Sequence, residues 1–204
     1  MSRTPTRVYV VDDDPLLRAA IVQLLEQSGY TAPTFASGEA FLRALPKLPP
    51  GCIIVDLVMR GMSGFGMQRR LLACGCRWPV IVLTGHVDRA NAERAVQAGA
   101  VSFLEKPVRL VELVAAILKG EAYLLGAREA IPDPELIRRV GLLTPREQEI
   151  LRGILHGKIN KEMAAEFGIT ESAVKGYRLK AMKKLRARTP AELVMLALRA
   201  GFHA

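Results

Sequence analysis

An α/β domain built on a parallel sheet, followed by a smaller all-α domain, is the fold class that this 204-residue sequence predicts. Three observations carry the expectation. Through residue 120, short β-branched runs alternate with longer amphipathic ones, the order expected of parallel strands joined by covering helices. Runs such as "CIIV" and "VIVL" show no polar alternation, as befits strands buried on both faces. Beyond a weakly patterned stretch at 121–138, the chain reads as helices only.

Strands are predicted at Val8 to Val11, Thr31 to Phe35, Cys52 to Val55, Val80 to Leu83 and Val101 to Leu104. Helices are predicted at about 15–27, 38–45, 63–73, 88–98 and 108–119. "AIPDP" then sets two prolines around Asp133, which ends any helix continuing from 108–119. The chain is accordingly divided into a domain at 1–120, a linker at 121–138 and a second domain at 139–204.

In that second domain "TPRE" (Thr144 to Glu147) has a Thr cap, a Pro at the first helical position and a Glu three residues after the cap. "TPAE" (Thr189 to Glu192) repeats the device. Gly157 and Gly168 fall where helices end, and Thr170 caps a helix running to about Arg186. Four short helices result.

Half the residues are apolar, enough for a sizeable core. No run approaches the roughly 20 apolar residues of a membrane span. "MSRTPTRVYVVDDD" has no apolar region before its charges, so a cytoplasmic location with no membrane partner is expected. Cys74 and Cys76 are spaced outside zinc patterns with no histidine near in sequence, and the cysteines read as reduced, mostly buried thiols.

The net charge of +9 is uneven. Between 175 and 188 stand Lys175, Arg178, Lys180, Lys183, Lys184, Arg186 and Arg188 with no acid among them. A solvated helix face usually interleaves Glu with Lys, so this cluster points to a polyanionic partner.

Polar residues of the first domain gather at the carboxyl ends of its strands, where parallel α/β sheets bind ligands. Asp12, Asp13 and Asp14 follow the first strand, Asp56 the third and Thr84 the fourth, and Lys106 lies past the fifth. Adjacent carboxylates at a buried strand end repel one another and lose hydration. A hard divalent cation relieves that cost, and Mg2+ suits a few carboxylates plus water and a phosphate oxygen. Asp14, before Pro15, reads instead as a helix cap.

"VVDDDP", "IIVDLVMRGMSG", "VIVLTGH" and "FLEKP" resemble, in order and spacing, the receiver domain of bacterial two-component response regulators over about residues 6–120. The resemblance implies a flavodoxin-like (βα)5 fold. It also implies that Asp56 accepts a phosphoryl group from a sensor histidine kinase. Asp13, Asp56 and the Val58 carbonyl would bind Mg2+, with Asp12 acting through water. Lys106 would offset charge on the phosphoryl oxygens, Thr84 would hydrogen-bond them, and Phe103 occupies the aromatic switch position, changing the face formed by the strand before Lys106 and its flanking helices. One position departs from the pattern: Arg60 stands where the family usually has proline, which permits more loop freedom beside the site. Val58 and His86 hold positions that affect water access.

The stretch from Leu143 to Gly201 resembles the LuxR-type helix-turn-helix of the NarL/FixJ regulators. In the helix from 171 to 186, Val174, Tyr177 or Arg178, Ala181 and Leu185 share an inward face, while Ser172, Lys175, Gly176, Leu179 and Lys183 share another that suits a major groove. Lys161, Thr170, Lys175, Arg178 and Lys183 are expected at phosphates, and Tyr177 belongs to the same candidate set. Gly176 costs about 1 kcal/mol in mid-helix relative to Ala. It either lets the backbone approach a base pair, with Leu179 touching a thymine methyl, or is a neutral position with Leu179 packing on a neighbouring domain.

The resulting expectation is a non-enzymatic transcription regulator. Phosphorylation of Asp56 would favour a homodimer on paired half-sites of double-stranded DNA, with RNA polymerase as a further partner. A phosphatase with an aspartyl nucleophile needs a second acid two residues on, where Val58 stands. A constitutive DNA-binding protein, with the first domain serving only to dimerise, is the remaining alternative.

Overall fold

Strands that are apolar on both faces need cover on both, and the computed structural model, which describes residues 7–85, 94–95, 97–126 and 133–202, supplies it. The chain divides into two compact units, one drawn largely from the first 130 residues and the other largely from residues 131–204.

The first unit runs β1 (Arg7–Val11), α1 (Pro15–Gln27), β2 (Thr34–Phe35), α2 (Gly38–Ala44), β3 (Gly51–Asp56), α3 (Gly64–Ala73), β4 (Val80–Thr84), β5 (Ala100–Glu105) and α4 (Leu110–Leu124). The strands form one five-stranded sheet in the order β2-β1-β3-β4-β5, with every pairing parallel. Strand order reverses between β1 and β3, so a crevice opens beyond their carboxyl ends. Every residue of β3 and β4 is buried. On one face Tyr9, Phe41, Ile53 and Val55 pack with Met67 and Leu71, and the Tyr9 ring stacks on Trp78 at 5.5 Å. Each such fully buried large apolar side chain contributes roughly 1.5–3 kcal/mol.

Several boundaries differ from the sequence reading, each for a physical reason. The strand expected from Thr31 is regular only over Thr34–Phe35. Pro33 has no N–H for a ladder, although the Thr31 and Pro33 carbonyls still accept from Val8 and Val10. The helix expected to stop at 119 continues to Leu124, because Gly120 is a point of close packing and not a terminus. A Cβ there would stand 2.8 Å from Cys52 Sγ. The helix expected at 88–98 lies mostly outside the described residues; of those described, Arg94, Ala95 and Gln97 are helical and Ala98 is in a turn. Cys52 is buried but Cys74 is exposed, against the expectation of mostly buried thiols, and all three cysteines are free.

The second unit is all-α: α5 (Pro134–Gly141), α6 (Pro145–Leu155), α7 (Asn160–Phe167), α8 (Glu171–Leu185) and α9 (Pro190–Arg199). The last four are those expected from sequence. The additional helix, α5, starts inside the stretch expected as linker. Asp133 is its cap, with Oδ1 accepting from Glu135 N at 2.9 Å and Pro134 in the first turn. At Thr144 the capping box is complete: Thr144 N donates to Glu147 Oε2 at 2.8 Å and Glu147 N to Thr144 Oγ1 at 3.3 Å. Gly168, at φ 62, ends α7 in the left-handed region, and Thr170 then caps α8. Ile150, Met163, Ala164 and Val174 form the core that joins α6, α7 and α8.

Candidate functional site

β1, β3 and β4 end side by side and deliver Asp12, Asp56 and Thr84, all buried, to one crevice. Asp13 follows Asp12 at its rim. One carboxylate oxygen from each of Asp12, Asp13 and Asp56 lies within 4.8 Å of the others. Beyond β5, Lys106 Nζ stands 3.0 Å from Asp56 Oδ1 and 3.2 Å from Asp12 Oδ2. Its main-chain N–H donates to the Thr84 carbonyl at 2.8 Å, fixing the root of the side chain. The Lys106–Pro107 peptide bond is cis.

The three consecutive aspartates divide as their sequence context suggests. Asp14 Oδ1 accepts from Leu16 N and Leu17 N and caps α1. Asp14 N in turn donates to Asp12 Oδ1 at 2.8 Å, so the cap also orients the buried acid. Burial pushes the Asp56 carboxyl above its ordinary pKa; Lys106 pulls it back and Asp12 adds to the rise. Three convergent carboxylates, two of them paired with one half-buried ammonium, form a hard-oxygen donor set suited to a divalent cation.

Val58 lies in the loop after β3 with its side chain 74% exposed. Its main-chain N–H supports the Asp56 carboxylate. The loop is held close: Gly64 N donates to the Leu57 carbonyl at 3.0 Å, and a Cβ on Gly64 would lie 2.6 Å from the Asp56 carbonyl oxygen. Met62 N donates to Glu39 Oε1. Phe103 is half-buried against the core. His86 lies outside the described residues.

Arg60 carries the contact that sequence reasoning missed. Its Nε donates to Asp13 Oδ2 at 2.9 Å and its main-chain N at 3.2 Å. These bonds hold the Asp13 carboxyl below its ordinary pKa. The only signal in the sequence was the departure from proline, which says nothing of a contact 47 residues away.

On the second unit, Val174, Ala181 and Leu185 of α8 are buried, and Tyr177 packs against the same core with Lys180 Nζ 5.4 Å from its ring centroid. Tyr177 thus belongs to the inward face. Arg178 is half-buried, and among the described residues its Nε has no hydrogen-bond partner. Ser172, Lys175, Leu179 and Lys183 are exposed on the opposite face, and Lys161 and Thr170 are exposed beside the turn. Leu179 is 63% exposed. A Cβ on Gly176 would meet no atom within 4 Å. Lys184 turns inward, 2.6 Å from the buried Glu147 carboxylate.

An acidic cluster able to hold a cation on an α/β unit, carried in one chain with a helix presenting cations, suits a signal-responsive nucleic-acid-binding regulator. Known proteins agree. The response regulator receiver domain family matches residues 8–118, and the luxR family of bacterial regulatory proteins matches residues 141–197. The transcriptional regulatory protein FixJ of Bradyrhizobium diazoefficiens is 36% identical over 201 residues, covering 97% of each chain. The response regulator protein TodT of Pseudomonas putida is 34% identical over 200 residues, covering 98% of this chain and 88% of that one. The solved structure of full-length FixJ from B. japonicum matches with a TM-score of 0.55 at 34% identity, over 98% of this chain and all of that one. The response regulator StyR gives 0.53 at 34% identity, over 96% of this chain and all of that one.

The chain belongs to the transcriptional response regulators that join a receiver domain to a LuxR-type DNA-binding domain. Membership implies a sensor kinase and DNA as partners, and the family is one of transcription regulators, not an enzyme class. Among the described residues, no helix is long and apolar enough to cross a membrane.

Proposed function

We propose that Asp56 is the phosphoacceptor of a cytoplasmic two-component regulator, and that its phosphorylation controls dimerisation and DNA binding. The observation that carries this reading is Lys106, whose ammonium bridges Asp56 and Asp12 at the centre of the acidic cluster. An Asp56 oxygen forms the P–O bond as the P–N bond to the kinase's phosphohistidine breaks, and the proton already on the other ring nitrogen leaves the departing group as neutral imidazole. Lys106 holds Asp56 in place and offsets charge on the equatorial oxygens. Mg2+, held by Asp13, Asp56 and the Val58 carbonyl with Asp12 acting through water, would supply further neutralisation of the phosphoryl oxygens.

Thr84 then bonds the phosphoryl group, and Phe103 turns into the space it leaves, altering the face made by β5 and its flanking helices. That face pairs two chains, and the two α8 helices engage successive half-sites. Ser172, Gly176 and Leu179 meet base edges. Lys161, Thr170, Lys175, Arg178 and Lys183 meet phosphates, with Tyr177 supporting the helix from the core side. The receiver is assigned 1–120, the linker 121–138 and the DNA-binding domain 139–204, with the last turn of α4 and most of α5 inside the linker. RNA polymerase is the partner through which the bound dimer acts.

Incubation with acetyl phosphate and magnesium, followed by intact mass and peptide mapping, tests the central step. A single phosphoryl adduct on Asp56, lost in Asp56→Asn, is expected. An adduct elsewhere, or none on the wild type, overturns the assignment.

A further inference from the structure

We infer that Arg60 is a built-in counter-ion that competes with the divalent cation for Asp13, so that metal enters the acidic site only as the guanidinium lets go. The inference rests on the reading of this pocket as a metal-dependent phosphoacceptor site. It starts from geometry: Arg60 places both Nε–H and its main-chain N–H on the same oxygen, Asp13 Oδ2, at 2.9 and 3.2 Å. A proline at this position could do neither, having no N–H and no cation. Arg60 also lines an open groove together with Asp13, Asp14, Pro15, Val58 and Met59, so the guanidinium and the rim carboxylate of the cluster share one solvent-facing recess.

Charge makes the competition physical. Asp12, Asp13 and Asp56 converge within 4.8 Å, and among the described residues the half-buried Lys106 pairs with Asp12 and Asp56. Arg60 answers Asp13, the rim carboxylate. Two cations cannot share that oxygen without repulsion, and a divalent ion adds further repulsion toward a guanidinium beside it. The Arg60 side chain is 89% exposed, so water can receive it when it leaves. Such an exposed contact is weak enough to yield and strong enough to shift the metal requirement. Arg60 is in this role a positioning residue, acting through Asp13.

Magnesium chloride titrations of the full chain test this, followed by calorimetry and by the NMR signal of the Arg60 Nε–H, assigned from its loss in Arg60→Lys. Arg60→Ala is expected to bind Mg2+ about two- to fivefold tighter than wild type, with the gain shrinking as salt is raised. Arg60→Pro, which also removes the main-chain donor, is expected to bind at least as tightly as Arg60→Ala. Arg69→Ala, which removes an exposed charge from α3, should leave affinity unchanged. In the wild type the Nε–H signal should move to its solvent-exposed position in step with metal saturation. Equal affinities of wild type and Arg60→Ala, an equal gain in Arg69→Ala, or a signal that stays fixed through saturation would each overturn the inference while leaving the phosphoacceptor reading intact. No Mg2+ binding by any variant would overturn both.

Discussion

The ammonium of Lys106 lies 3.0 Å from the Asp56 carboxylate, and it is the cation that makes a buried acid tolerable at the end of β3. Lys106 and the exposed Arg60 together do not balance three carboxylates. Neutralising Asp56 in Asp56→Asn, with Lys106 still held by Asp12, should therefore stabilise the magnesium-free chain by about 1 kcal/mol. The sign with pH follows. Burial, against the pull of Lys106, raises the Asp56 pKa, so its charged form weakens the fold above that pKa and the penalty fades as pH falls toward the ordinary value of 3.8. Denaturant melts of the two proteins should converge over that window. Magnesium chloride should raise the wild-type melting temperature and leave the variant's little changed.

Glu147 anchors α6 to α8 through Lys184 at 2.6 Å and closes the cap at Thr144. Burial alone would raise its carboxyl, but Lys184 and the Thr144 donors outweigh it and hold the pKa below the ordinary 4.5. A depressed acid stabilises above its unfolded value, so this contribution is complete above pH 4.5 and is lost as pH falls through the lowered pKa. Glu147→Gln should cost the second unit about 1–3 kcal/mol near neutrality. Circular dichroism melts across acid pH should show the difference narrowing in that range.

Gly64 opens α3 packed closely against the end of β3, beside Asp56. A methyl group in Gly64→Ala would stand 2.6 Å from the Asp56 carbonyl oxygen and 3.1 Å from Leu57 Cα, both main-chain atoms that cannot swing aside. The variant should lose about 1–3 kcal/mol and take up phosphoryl from acetyl phosphate more slowly, because the loop after Asp56 must shift. Retained stability with an unchanged rate would contradict the tight-loop account.

Gly176 offers a test in which stability and affinity move in opposite directions. Nothing lies within 4 Å of a Cβ built there, so Gly176→Ala should stabilise α8 by roughly 0.5–1 kcal/mol. If the bare backbone lies against a base pair, the same variant should bind a selected operator more weakly. Lys175→Ala and Lys183→Ala should each lower the salt dependence of binding by about one counterion, whatever the DNA sequence.

Much of the fold was legible because burial leaves a periodic signature. "CIIV" and "VIVL" read directly as central strands, and β1, β3, β4 and β5 carry Asp12, Asp56, Thr84 and Lys106 at or just past their ends as the spacing suggested. Elements were misread where one residue type serves two purposes. The helix expected to end at 119 runs on through Gly120, which permits close packing on Cys52, and the prolines around Asp133 read as linker although Pro134 opens α5 behind the Asp133 cap. Long-range polar pairs left no trace at all. Neither Arg60–Asp13 nor Lys184–Glu147 has a periodicity to read, since tertiary folding alone brings those residues together.

The mass of the full chain in solution with magnesium, with and without beryllofluoride, for wild type and Asp56→Asn, tests the central claim most directly. A dimer is expected only for wild type with beryllofluoride, and a monomer in every other sample. An equal mass throughout, or a dimer that forms without Asp56, would contradict phosphorylation-controlled assembly and favour a constitutive DNA-binding protein.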